Sequence, residues 1–272
     1  MRRILTAVVG LPLLFAVIKV LPPAVFLVLV GAAVVLGCWE FFRLAESLGH
    51  RPHKILGALL SVAVACTFFF DSRVETTDIL CAAALLVPLA SLVRGRRGGG
   101  QLTAEFGAIA CTYTAVMFIG LLMGYCLGLL GDGREMGRDL TVLLFWIVWL
   151  SDAAAFAVGS LLGRHKLAPG ISPGKTVEGA LGAIAVAIAA ALVAKGWFFT
   201  RLGLGDALAL GVLLGGAGML GDLAESMLKR AATVKDSGWL FPGHGGMLDR
   251  ADSLMFAAPV LFYYHKYFMA QG

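Results

Sequence analysis

Nine mostly apolar runs of 16 to 27 residues, parted by proline-containing or polar breaks, occupy most of this chain. They lie at roughly 4–20, 24–44, 55–70, 77–92, 104–130, 140–162, 177–199, 206–228 and 252–268. A bilayer core of about 30 Å is crossed by roughly 20 helical residues. Runs of this length, repeated this often, point to a protein that crosses a membrane many times. Composition agrees: 59% of residues are hydrophobic and 14% charged, where a soluble domain carries about 25% charged residues. The period-two alternation of a membrane β-strand is missing, which leaves helices as the spanning element. The expected fold is all-α, with about nine transmembrane helices. The third and fourth runs are short for a span, so the bilayer thins around them or one lies partly at the interface.

The formal charge is +5 and the pI about 9.1. In a soluble protein that balance would raise nucleic acid as a partner. Here the cations sit at the ends of apolar runs, where topology signals and lipid headgroups account for them, and no nucleic acid is expected. With the N-terminus in the cytoplasm, Lys19, Arg73, Arg134, Arg138, Lys195, Arg201 and Lys266 fall outside. The remaining fifteen of the 22 Lys and Arg fall inside. That bias supports a cytoplasmic N-terminus, with the polar loops 163–176 and 226–250 on the cytoplasmic face. Met1-Arg2-Arg3 before an apolar run resembles a secretory leader, yet Pro22-Pro23 follow without an A-x-A site, so the segment reads as a retained helix. The five cysteines form no C-x-x-C pair and read as small packing residues.

Three parts are expected: an N-terminal transmembrane bundle over 1–95; a basic linker (Gly-Arg-Arg-Gly-Gly-Gly after Arg94) and middle helix over 96–137; and a motif-bearing half over 138–272.

Between Ser226 and Asp252 the chain turns polar, with Lys229, Arg230, Lys235, Asp236, His244, Asp249, Arg250 and Asp252 in 27 residues. Cations beside carboxylates are what phosphates and a divalent metal require. Asp222 and Glu225 lie three apart, on one helical face just upstream. Hard divalent cations prefer carboxylate oxygens, which makes Asp222 and Asp249 candidate ligands that could share one metal. Asp249 and Asp252 also have the spacing of a helix start, and a helix N-terminus attracts phosphate. Pro242-Gly243-His244-Gly245-Gly246 can let backbone approach a ligand closely. Gly174-Lys175-Thr176 resembles the end of a Walker A loop, but Pro169 stands where its leading glycine belongs. Thr176 reads equally well as an ordinary helix cap. Asp152, within an apolar run, is a functional candidate by its position. Gly211, Gly215, Gly216, Gly218 and Gly221 suit close helix packing.

Taken together, these residues resemble the phosphatidate cytidylyltransferases. The match runs through Ser226, Lys229-Arg230, Lys235-Asp236, Gly238, Pro242, His244-Gly245-Gly246 and Asp249-Arg250 with Asp252. Ser151-Asp152, Ser172–Gly179 and Gly221–Ser226 extend it. Gly174, Phe156, Val177 and Ala251 depart from the family pattern of lysine, tyrosine, tryptophan and a larger apolar residue. The resemblance implies transfer of the cytidylyl group of CTP to phosphatidate with magnesium, with or without a second cation. It also implies a homodimer, contact with membrane lipids, a bacterial inner-membrane location and a cytoplasmic active site. Carried over residue by residue, the catalytic set is Asp222, Asp249, Lys229, Arg230 and His244. The substrate and phosphate contacts are Ser172, Lys175, Thr176, Glu178, Ser226, Lys235 and Arg250. The metal ligands are Asp222 and Asp249, with Asp252 and Asp152 as further candidates. Two other readings stand beside this one. One is a CTP-dependent polyprenol or phytol kinase-like enzyme, against which the H-G-G-x-x-D-R block argues. The other is a secondary transporter, whose ionisable residues would sit near the bilayer midplane.

Overall fold

A computed structural model describes residues 12–70, 73–98, 102–131, 134–234, 237–238 and 245–269. It is helical almost throughout. Residues 12–20 form α1, followed by α2 (Pro23–Ser47), α3 (Lys54–Thr67) and α4 (Thr76–Gly98). A continuous helical rod then runs through α5 (Leu102–Thr114), a π-helical stretch (Ala115–Leu121) and α6 (Leu122–Leu130). Next come α7 (Glu135–Leu162), a two-stranded hairpin, α8 (Val177–Trp197), α9 (Leu204–Ala231) and α10 (Leu248–Tyr264), which ends in a second π-helical stretch, His265–Met269.

Six described helices are long and apolar enough to cross a membrane by length and composition: α2, α4, the α5–α6 rod, α7, α8 and α9. The all-α, polytopic reading of the sequence therefore stands. The helix α3 has 14 residues, about 21 Å at 1.5 Å per residue, less than the hydrocarbon core. The helix α4 continues to Gly98, so part of the glycine-arginine stretch read as linker is the end of a helix. Arg94 anchors that end, donating from both Nε and Nη2 to Glu105 at the start of α5.

The chain divides into two compact units, each built from separated stretches: Met1–Phe26, Leu129–Met227 and Asp252–Gly272 form the first; Leu27–Gly128 and Leu228–Ala251 the second. In the first unit α7 packs along α8. The buried face of α8 is small throughout (Gly179, Ala183, Ala187, Ala190, Ala191, Ala194), and α7 comes close to it: a Cβ on Gly179 would meet the Ala155 carbonyl and one on Gly182 the Val158 side chain. With lipid on the outside there is no hydrophobic gain in joining two helices, so close backbone approach by small residues is the available attraction. Trp146 Nε1 donates to Ala190 O at 3.0 Å across this seam. The glycines of α9 serve the same end: a Cβ on Gly211 would strike the Ile188 backbone, and one on Gly221 the Asp252 carbonyl. Gly205 and Gly216 are exceptions, with open space around them.

In the second unit Leu60, Val64, Ala83, Val87 and Val116 form a buried core between α3, α4 and the α5–α6 rod. The π-helical widening brings Gly120 onto the backbone of Ser61, where a Cβ would lie 2.6 Å from Cα. π-Bulges are rare and need such local support.

Candidate active site

The polar loop between α7 and α8 is a small antiparallel hairpin, β1 (Lys166–Ala168) with β2 (Ser172–Thr176). This is the only sheet among the described residues. Glu178, in the first turn of α8, closes its base. Its Oε2 accepts the Arg164 N–H at 3.0 Å and the His165 N–H at 3.2 Å, and Oε1 lies 2.6 Å from His165 Nδ1. Thr176 Oγ1 accepts the Gly179 N–H at 3.1 Å and caps α8. Substituting such a cap by Ala costs about 0.5–2 kcal/mol. Of the hairpin residues singled out in the sequence, Thr176 and Glu178 thus hold the hairpin onto α8, and Ser172 opens β2 opposite Ala168.

Lys175 reaches out from β2. Its Nζ lies 2.9 Å from Asp222 Oδ2 on α9. The helix α9 has 28 residues, about 42 Å of rise, longer than a hydrocarbon core. Asp222, Ser226 and Lys229 recur at i, i+4 and i+7 near its C-terminal end and share one face. Ser226 Oγ donates to Asp222 Oδ1 at 3.3 Å. Glu225 and Asp252 are buried, at 1% and 8% exposure. Asp252 lies within electrostatic reach of Asp222, Glu225 and Asp152, and Ser253 Oγ donates to Asp152 Oδ1 at 3.4 Å. Asp152 is exposed on α7, ten residues before its end, and a carboxylate at such a place faces water or protein rather than lipid. The first unit therefore gathers Asp152, Asp222, Glu225 and Asp252 with Lys175 as a nearby cation. Like charges gathered in this way repel one another unless a proton or a cation is bound.

The second cluster belongs to the other unit and centres on Asp249, in the first turn of α10. Lys229 Nζ donates to Asp249 Oδ1. Oδ2 accepts from Ser237 N at 3.0 Å, Ser237 Oγ at 2.8 Å and Gly246 N at 2.7 Å. Burial acts to raise the pKa of this carboxyl; Lys229, the Gly246 N–H and the Ser237 hydroxyl outweigh it and hold the carboxyl below its usual range. Gly245 takes a left-handed φ of +77°, the conformation glycine adopts most readily. Arg230 and Arg250 are both exposed; Arg230 Nη1 donates to Val234 O at 3.4 Å. Lys235, Asp236, Pro242 and His244 lie outside the described residues. Glu40, in α2, is a member of this cluster that sequence reasoning passed over. It is 1% exposed and accepts from Ser237 Oγ, Met247 N and Leu248 N at 3.1, 2.8 and 2.9 Å. The signal was present, a lone carboxylate in an apolar run, but its partners lie 197 to 208 residues away.

Among the described residues, no group of three or more His, Cys, Asp and Glu side chains is arranged to enclose a metal ion. The donors are nonetheless hard carboxylate oxygens, and a lysine ammonium rests on Asp222 and another on Asp249. Both sites thus already favour a cation.

Helices of membrane-spanning length, joined through polar ends that pair lysines with aspartates, define an α-helical membrane protein able to handle anionic groups beside the bilayer. A model of the cytidylyltransferase family matches residues 1–268, and the chain belongs to that family. It is 32% identical to a phosphatidate cytidylyltransferase of Synechocystis over 285 aligned residues, covering 97% of this chain and 95% of the relative. It is 31% identical to the Bacillus subtilis phosphatidate cytidylyltransferase over 270, covering 96% of each. A Staphylococcus epidermidis phosphatidate cytidylyltransferase is 45% identical over 130 residues, 48% of this chain and 50% of the relative.

Proposed function

We propose that this protein transfers the cytidylyl group of CTP to phosphatidate, releasing pyrophosphate and leaving CDP-diacylglycerol in the membrane. The observation that carries the reading is the lysine held on each motif aspartate, Lys175 on Asp222 and Lys229 on Asp249. It occurs in a chain aligned over nearly its whole length with relatives named for this activity. A phosphatidate phosphate oxygen forms the new bond to the α-phosphorus of CTP while the bond from that phosphorus to the bridging oxygen breaks, and the electron pair leaves with pyrophosphate. Both reactants are anions, so the reaction needs neutralised charge and in-line placement more than a strong base. Lys175, Lys229, Arg230, Lys235 and Arg250 supply cationic contacts, each able to follow a phosphate oxygen. Ser226 orients Asp222, and His244 contacts a phosphate or moves a proton.

The carboxylates suit magnesium, a hard cation commonly held by one or two carboxylates, waters and substrate phosphates. Asp222, clustered with Asp152 and Asp252, and Asp249 are each proposed as ligands, and a bound cation would neutralise phosphate charge and favour departure of pyrophosphate. The same reading puts the polar loops in the cytoplasm of a bacterial inner membrane, where CTP is available, and makes the working form a homodimer.

Purified protein in detergent, given magnesium, labelled CTP and phosphatidate, is expected to form labelled CDP-diacylglycerol and one pyrophosphate per turnover. Phosphorylation of an isoprenoid alcohol by CTP, without a lipid-linked CMP product, would replace this reading by the kinase-like one.

A further inference from the structure

Glu40 is a buried carboxylate on a membrane helix, a costly placement unless the charge is answered by donors. Among the described residues its hydrogen bonds all go to the stretch around Asp249: Ser237 before it, and Met247 and Leu248 at the start of α10. The backbone there is shaped to reach it. A Cβ on Gly238 would lie 2.5 Å from Glu40 Oε1, and one on Gly246 would also run into this carboxylate. Gly238 and Gly246 therefore let the backbone close on Glu40.

Ser237 joins Glu40 to Asp249. Its Oγ is 3.1 Å from Glu40 Oε2 and 2.8 Å from Asp249 Oδ2, so a hydroxyl with a single proton lies within reach of both carboxylates. With Ser237 N and Gly246 N also on Oδ2, that oxygen is committed to the protein. Oδ1 carries the Lys229 ammonium, so it is the oxygen turned toward positive charge.

We infer that Glu40 is a positioning residue for Asp249: it grips both ends of the 237–248 stretch so that Asp249 turns Oδ1 toward the bound cation and keeps Oδ2 on the loop. The inference rests on the proposed function in taking Asp249 as a metal ligand. Outer partners of metal ligands typically change metal affinity or activity by about 10–100-fold when altered. Glu40→Gln is the informative change, because its amide would set an N–H donor against Met247 N–H, or against the Leu248 and Ser237 donors, at unchanged size.

The test uses the full-length protein in detergent. Mn²⁺ binding is read from the free-ion electron paramagnetic resonance signal, beside thermal unfolding and steady-state rates. Glu40→Gln is expected to unfold near the wild-type temperature, to bind Mn²⁺ about tenfold or more weakly, and to lose kcat while the KM for phosphatidate stays put. Glu46→Gln, in the same helix and paired with Lys54, is expected to match wild type throughout. Wild-type Mn²⁺ affinity in a folded Glu40→Gln protein would overturn the inference, as would activity lost only in proportion to unfolded protein. Should Glu40→Gln not fold, Glu40→Asp decides: a carboxylate one methylene shorter that folds but binds Mn²⁺ more weakly supports the inference, and wild-type binding refutes it. Wild-type protein that binds Mn²⁺ but makes no CDP-diacylglycerol would sink the proposed function, while the Mn²⁺ comparison would still judge Glu40.

Discussion

Asp222 and Asp249 carry the chemistry proposed here in different surroundings. Asp222 is partly open, bonded to Ser226 and paired with Lys175. Asp249 is tied down through Oδ2 and meets Lys229 through Oδ1. Asparagine at either place keeps the size and removes the charge. Asp222→Asn and Asp249→Asn are each expected to lower turnover about a hundredfold or more, the scale of losing one strong electrostatic contact to a transition state. Both proteins should elute from size exclusion as wild type does. Near wild-type turnover in either would remove that aspartate from the site. The sequence singles out both aspartates by their place at the ends of apolar runs and by the spaced motif, although Asp249 also fits an ordinary helix start. The local duties of Thr176 and Glu178 were less legible. Capping and phosphate binding use the same hydroxyl and the same helix start, and only the bonds to Gly179, Arg164 and His165 tell them apart.

At the level of the element, α9 shows how small residues and charged ones cooperate. Gly221 lets α9 close on the Asp252 carbonyl, one residue from Asp222. Gly221→Ala would push these helices apart and is expected to destabilise by about 1–3 kcal/mol, the usual range for overpacking. Gly216→Ala, with nothing within 4 Å of the new methyl, is expected to be neutral or to stabilise by up to about 1 kcal/mol, since alanine is the better helix former. Thermal unfolding of the two variants in one detergent separates them; equal behaviour would mean that Gly221 is not a contact point. Most helices could be marked from the lengths of the apolar runs. The β1–β2 hairpin could not, because strands of three and five residues are too short to carry a usable period, and neither could the π-helical turn at Ala115–Leu121, which answers to Ser61 on another helix.

For the whole molecule, charge bias predicts that the hairpin and the 226–250 loop share the cytoplasmic side. Gly170 lies at the exposed turn of the hairpin with open space around it. Gly170→Cys, in a background lacking the five native cysteines, is therefore expected to react with an impermeant maleimide only when the cytoplasmic face is accessible. Labelling from outside intact cells would invert the topology. The membrane class, the helical architecture and the polar block with its aspartates follow from composition and local pattern, because the need to satisfy every backbone group in lipid leaves one fold class open to such runs. Which stretches form each compact unit, and that Glu40 in α2 grips the residues ahead of α10 some 200 positions later, follow from packing. A buried carboxylate is defined by the donors that reach it, and in a polytopic chain those donors come from segments whose order along the sequence says little about their neighbours in space.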